Sequence, residues 1–98
     1  MDASVLLHMV ADRPIVEFAD GDLLIGAGQP DPPLFVLAAG TLEVRNRQLA
    51  LARLDDPGAI VGEIGLLLGT PATADVVAVG PVTVRRIDDA GSLFADHP

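Results

Sequence analysis

The chain has 98 residues and a mass of 10.1 kDa, room for one small domain spanning 1–98. Half of it is apolar and its only aromatics are three Phe, so its core is aliphatic; the absence of Cys excludes disulfides, thiolate metal centres and thiol nucleophiles. A net charge of −8, from 14 acids against six basic residues, all Arg, repels phosphate backbones and anionic bilayers and so argues against nucleic-acid and membrane partners.

No apolar run reaches the length of a membrane-spanning helix, and Met1 is followed by Asp2 with no basic segment, so a cytoplasmic location is expected. Asp2–Ala11 reads as a short helix, capped by Asp2 and stopped by Pro14. Ile15–Phe18 reads as a strand leading into an Asp20-Gly21 turn. Leu23–Ile25 is a second strand, ending at Gly26-Ala27-Gly28, where positive φ is cheap. The Pro-rich Gln29–Pro33 is an extended loop. Leu34–Ala38 has no polar residue and reads as a strand buried on both faces.

Past Gly40 a hairpin is expected. In Thr41–Arg45, Leu42 and Val44 face one way while Thr41, Glu43 and Arg45 face the other; Asn46-Arg47 makes the turn and Gln48–Leu54 returns. Asp55-Asp56-Pro57-Gly58 carries turn residues in turn order. From Gly62 to Leu68 the spacing changes to three and four, which predicts a turn or two of helix over Glu63–Leu68. Thr73–Val79 and Val82–Ile87 are β-rich and split by Gly80-Pro81, and Ser92–Asp96 starts a terminal helical fragment. About eight strands result, with the Gly/Pro punctuation of an all-β fold.

Enzymatic chemistry is not expected. Gly62 to Gly69 lacks the Lys of a P-loop, and Gly26-x-Gly28 lacks the third Gly of a dinucleotide fingerprint. His8 and His97 sit near the termini, away from any cluster of ligands, so no metal site is expected. The Asp55-Asp56 and Asp88-Asp89 pairs read as turn residues. No catalytic residue is assigned.

One segment carries more. In Val61-Gly-Glu-Ile-Gly-Leu-Leu-Leu-Gly-Thr-Pro-Ala-Thr-Ala-Asp-Val76, a Gly-Glu opens a helical turn between strands and a Pro-x-x-Ala follows it. This resembles the phosphate-binding cassette of cyclic nucleotide-binding domains. Gly62, Glu63, Ile64, Leu66, Leu67, Pro71, Ala74 and Val76 match its pattern without a gap. Upstream, Gly21-Asp22-Leu23-Leu24-Ile25, Leu34 through Val44 around Gly40, and Pro57-Gly58 match as well, so the resemblance covers about 14–90.

The resemblance implies a mainly β fold: an eight-stranded β-roll, or jelly roll, with a short cassette helix and helical fragments at the termini. It implies a regulatory or sensor module for cAMP or cGMP, with no other cofactor. The ligand residues it implies are Gly62, Glu63, Ile64, Ala72, Thr73 and Ala74, with Glu63 on a ribose hydroxyl and the Ala74 N–H on the phosphate. Gly62 would let a ligand approach the backbone closely.

Three departures stand out. Ala72 occupies the position of the family's phosphate-binding Arg, a contact worth about 1.5–3 kcal/mol, so binding is expected to be weakened roughly 10–150-fold. Asp75 replaces a neutral hydroxyl residue, either facing away from the pocket edge or lying beside it. Only Ser92–Pro98 follows the roll where family members continue into lid helices, so the lid is expected to be absent or truncated. Apolar surface left open by a missing lid predicts a protein partner or a homo-oligomer. The alternative function is a degenerate domain that binds no nucleotide and serves protein–protein contact or assembly.

Overall fold

A computed structural model describes residues 7–30, 32–46, 49–62 and 71–88. Six strands appear among them: β1 (Ile15–Phe18), β2 (Leu23–Ile25), β3 (Leu34–Asn46), β4 (Leu49–Leu54), β5 (Ile60–Val61) and β6 (Asp75–Ile87). They form one antiparallel sheet. β6 pairs with β1, β2 and β3, and β3 pairs with β6, β4 and β5. The mainly β roll expected from the sequence is what forms.

Two pairs of the expected strands are continuous, and β5, which no expected range covered, brings the described strands to six. Leu34–Ala38 and Thr41–Arg45 join into β3, and most of Thr73–Val79 joins Val82–Ile87 as β6, each of 13 residues. The joins are bends. The β3–β6 register shifts between Leu37 and Ala39 and again between Ala39 and Thr41. Gly40 (φ +101°) sits there against β6, where a Cβ would lie 2.4 Å from the Pro81 carbonyl oxygen. Gly80 bends the facing strand with φ +72°. Gly and Pro therefore fold long strands over instead of ending them, a use of bulged positions that local punctuation does not distinguish from a turn.

Alternation along β3 builds two cores. Phe35, Leu37 and Leu42 point into the main cluster with Leu24, Ile25, Val61, Val76, Ala78, Val82 and Val84. Leu34 and Val36 point the other way, joining Val10 and Ile87. Residues 7–9 are helical, and the segment they begin brings Val10 over the outer face of the sheet, where it is fully buried. The unbroken apolar run Leu34–Leu37 is thus explained by cover on both sides. Phe18 meets Phe35 edge-on, with ring centroids 5.9 Å apart at 89°.

The turns follow their residue chemistry. Ala59 N–H donates to the Asp56 carbonyl across Pro57-Gly58, with Gly58 at φ +97°, which is a type II turn. Asp20 and Asp22 act as turn residues: Gly80 N–H donates to Asp20 Oδ1 at 2.7 Å and Ala19 N–H to Asp22 Oδ2 at 2.8 Å. Asn46 pairs with Leu49 and is the last residue of β3, one step later than the expected turn start. The expected cassette helix and the terminal Ser92–Asp96 fragment lie outside the described residues, as does half of the expected Asp2–Ala11 helix.

Candidate functional site

A cavity of about 270 Å³ opens between the ends of β2, β3, β4, β5 and β6. Its walls are aliphatic: Ile25, Val44, Leu54, Ile60, Val61 and Val76, with Pro32 beside them. At one side Gly62, Ala72, Thr73 and Ala74 converge on it. Four of the six ligand residues expected from the sequence therefore border one space, although 62 and 72–74 are separated along the chain. Glu63 and Ile64 lie outside the described residues.

Gly62 is held by the fold itself. Its φ is +96°, and a Cβ there would lie 2.5 Å from the Pro33 carbonyl oxygen. The close approach expected of a ligand is made by the chain's own Pro33 backbone. Glycine is required at this point whether or not anything binds.

Residues 72–74 are placed by the turn after β2. Gly28 N–H donates to the Ala72 carbonyl at 2.7 Å, and Ala72 N–H donates to the Gln29 carbonyl at 2.9 Å. The turn is closed on itself: Gln29 N–H donates to the Gly26 carbonyl and Gly26 N–H to Gln29 Oε1. Ala72 then packs its methyl group on the main core. Thr73 and Ala74 precede β6, where the sequence pattern expects Thr73 to be a strand residue. Among the described residues no acceptor meets the N–H of either. Thr73 and Ala74, whose N–H groups meet no acceptor among the described residues, thus stand at the edge of an apolar cavity.

Asp75 resolves to a definite role. Its Oδ1 accepts the Ala27 N–H at 2.7 Å, tying the first residue of β6 to the Gly26–Gly28 turn. Asp75 does not line the cavity, but it follows the lining residue Ala74 directly. Sequence reading missed this bond. The signal was a Gly-Ala-Gly turn with unpaired N–H groups, and the partner lies 48 residues away.

The described arginines are engaged elsewhere. Arg45 and Arg53 both bind Glu43, at 2.5 and 2.8 Å. Arg86 pairs with Asp88 at 2.9 Å and lies over the Phe35 ring, and Arg85 donates to the Arg13 carbonyl. None of them borders the cavity. Glu43 is only 5% exposed on the face of β3 opposite Leu42. Hydrogen bonds from Arg45 and then Arg53 hold its carboxyl below the usual range, against the opposing effect of burial. His8 is exposed, and no metal-binding cluster exists among the described residues. No described helix is long and apolar enough to cross a membrane.

The fold is thus a β-roll with an apolar cavity bordered by Gly62 and Ala72–Ala74. The chain belongs to the cyclic nucleotide-binding domain family, whose profile matches residues 15–92. Among solved structures it resembles a protein of a cyclic-GMP-dependent signalling pathway that regulates bacterial phytopathogenesis. That TM-score is 0.80 at 25% identity, covering 99% of this chain and 80% of the other. It also resembles the N-terminal domain of a transcriptional regulator from Streptomyces coelicolor A3(2), with TM-score 0.75, 26% identity, and coverage of 97% and 68%. The fold is shared too with domain CBD2 of PKAR bound to Sp-2Cl-cAMPS, with TM-score 0.76, 22% identity, and coverage of 90% and 69%.

Proposed function

We propose that this domain is a non-enzymatic sensor module that takes its ligand in the cavity at Gly62 and Ala72–Ala74, and that it binds cAMP and cGMP weakly. The supporting observation is the convergence of these residues on one apolar space, with the Thr73 and Ala74 N–H groups unpaired among the described residues. Family membership and the cAMP analogue held by PKAR CBD2 point to the same ligand class. The weakness follows from Ala72. A methyl group stands where a guanidinium would neutralise the phosphate, and no described arginine replaces it. Glu63 and Ile64, adjacent to Gly62 in sequence, complete the proposed contact set.

Calorimetric titration with cAMP and cGMP tests this reading. Weak, measurable binding is expected, and Ala72→Arg should tighten it roughly 10–150-fold. Submicromolar affinity in the unaltered chain would show that the guanidinium is dispensable here.

A second reading is favoured by β4. This edge strand pairs only with β3 among the described strands, and it exposes Leu49 and Leu51 to 66% and 55%. Such a strand supports contact with a protein partner or a second copy of the chain, the role of a domain kept for assembly. Sedimentation analysis distinguishes the two: a concentration-independent monomer would count against self-association.

A further inference from the structure

We infer that the cavity selects an uncharged, hydroxyl-bearing ligand with a flat apolar body over a phosphodiester monoanion. This rests on the reading just given, within which that chemistry is a nucleoside without its phosphate.

The inference comes from the balance of charge around the cavity edge. A cyclic nucleotide brings one full negative charge. In an aliphatic cavity such a charge is costly unless a cation or a dense set of donors meets it. The described lining contains no charged side chain, and Arg45, Arg53, Arg85 and Arg86 are bound to groups outside it. The nearest acid in sequence works the other way. Asp75 is fixed beside the cavity edge by its bond to Ala27 N–H and cannot swing far from it without giving up that bond. The chain's net charge of −8 adds repulsion for any anion approaching from solution.

A neutral hydroxyl fits the same atoms without this penalty. The Thr73 and Ala74 N–H groups donate to a hydroxyl oxygen. The Thr73 hydroxyl, which donates and accepts, can complete the pair. Six aliphatic side chains give the flat body of a base its apolar contact.

The test is calorimetric titration of the 98-residue chain with adenosine, guanosine, cAMP and cGMP at one salt concentration. At least one nucleoside should bind about tenfold or more tightly than its own cyclic monophosphate. Ala72→Arg should reverse that order, tightening the cyclic nucleotide about tenfold or more while moving the nucleoside about threefold or less. Asp75→Asn, which keeps an oxygen for Ala27 N–H but drops the charge, should improve the cyclic nucleotide alone. A cyclic nucleotide that binds as tightly as its nucleoside, or more tightly, overturns this inference and leaves the sensor reading standing. No binding of any of the four at millimolar concentration overturns both.

Discussion

Three glycines make a graded test of the fold. Gly28 (φ +85°) has open space where a Cβ would be, whereas Gly62 (φ +96°) would put a Cβ 2.5 Å from Pro33 O. Gly40 (φ +101°) would put one 2.4 Å from Pro81 O and 3.0 Å from Val82 Cα. Replacing each by Ala imposes the left-handed backbone cost of about 1–2 kcal/mol. At Gly28 nothing more is added. At Gly62 and Gly40 the new methyl group meets backbone on a neighbouring segment, which cannot rotate away as a side chain would. Displacing it adds overpacking strain of about 1–3 kcal/mol. The expected loss is therefore about 1–2 kcal/mol for Gly28→Ala and about 2–5 kcal/mol for Gly62→Ala and Gly40→Ala. Against a total stability of about 5–10 kcal/mol, the last two leave a marginal domain. Urea unfolding with a common m-value gives the differences directly. Equal midpoints for Gly28→Ala and Gly62→Ala would refute the claim that the chain's own backbone requires glycine at the cavity edge.

Other outcomes follow from the packing and the charges. Phe35→Ala removes a side chain that is 1% exposed and touched by Phe18 and Arg86, and should cost about 3–5 kcal/mol in the same unfolding assay. Glu43 has its pKa lowered from 4.5 in the folded state, so its contribution to stability is complete above that value and is lost as pH falls through the lower folded one. Glu43→Gln should accordingly destabilise the domain at neutral pH, with the gap from the unaltered chain narrowing in acid; a gap constant with pH would exclude the ion cluster as its source. Asp75→Ala deprives the Ala27 N–H of its acceptor and should lower stability by about 0.5–1.5 kcal/mol, read as a fall in Tm.

Much of the strand content could be read along the chain because the run Leu34–Leu37 and the turn at Asp56–Ala59 carry their own physical signals. Four of the six candidate ligand positions are brought to one cavity for a related reason. The pattern from Gly62 to Val76 is a contiguous piece of sequence whose two ends the fold returns to the same place. What the sequence hid was long-range. Gly40 and Gly80-Pro81 read as breaks, and only the facing strand shows that they are bends. Arg53 reaches Glu43 because β4 pairs with β3 in the register Glu43↔Arg53, which no local pattern encodes. The same holds for Asp75, whose partner is set by where the turn after β2 comes to rest. Gly62 shows the opposite case: its identity was noted, and the reason for it was the Pro33 carbonyl.

The pairing scheme also sets the order in which this domain can come into being. β1 and β2 have no partner among the described strands except β6, and Ile15 waits for Arg85. A chain emerging from the ribosome can close the β3–β4 hairpin early, but the first two strands remain open until nearly the whole roll has been made. Non-local closure of this kind is slow compared with hairpin formation. During that interval Leu23, Leu24 and Ile25 are unpaired apolar residues, a segment for a chaperone to shield. A nascent chain halted anywhere before residue 75 would hold them in that state, because their partners Val76 and Val77 are not yet made.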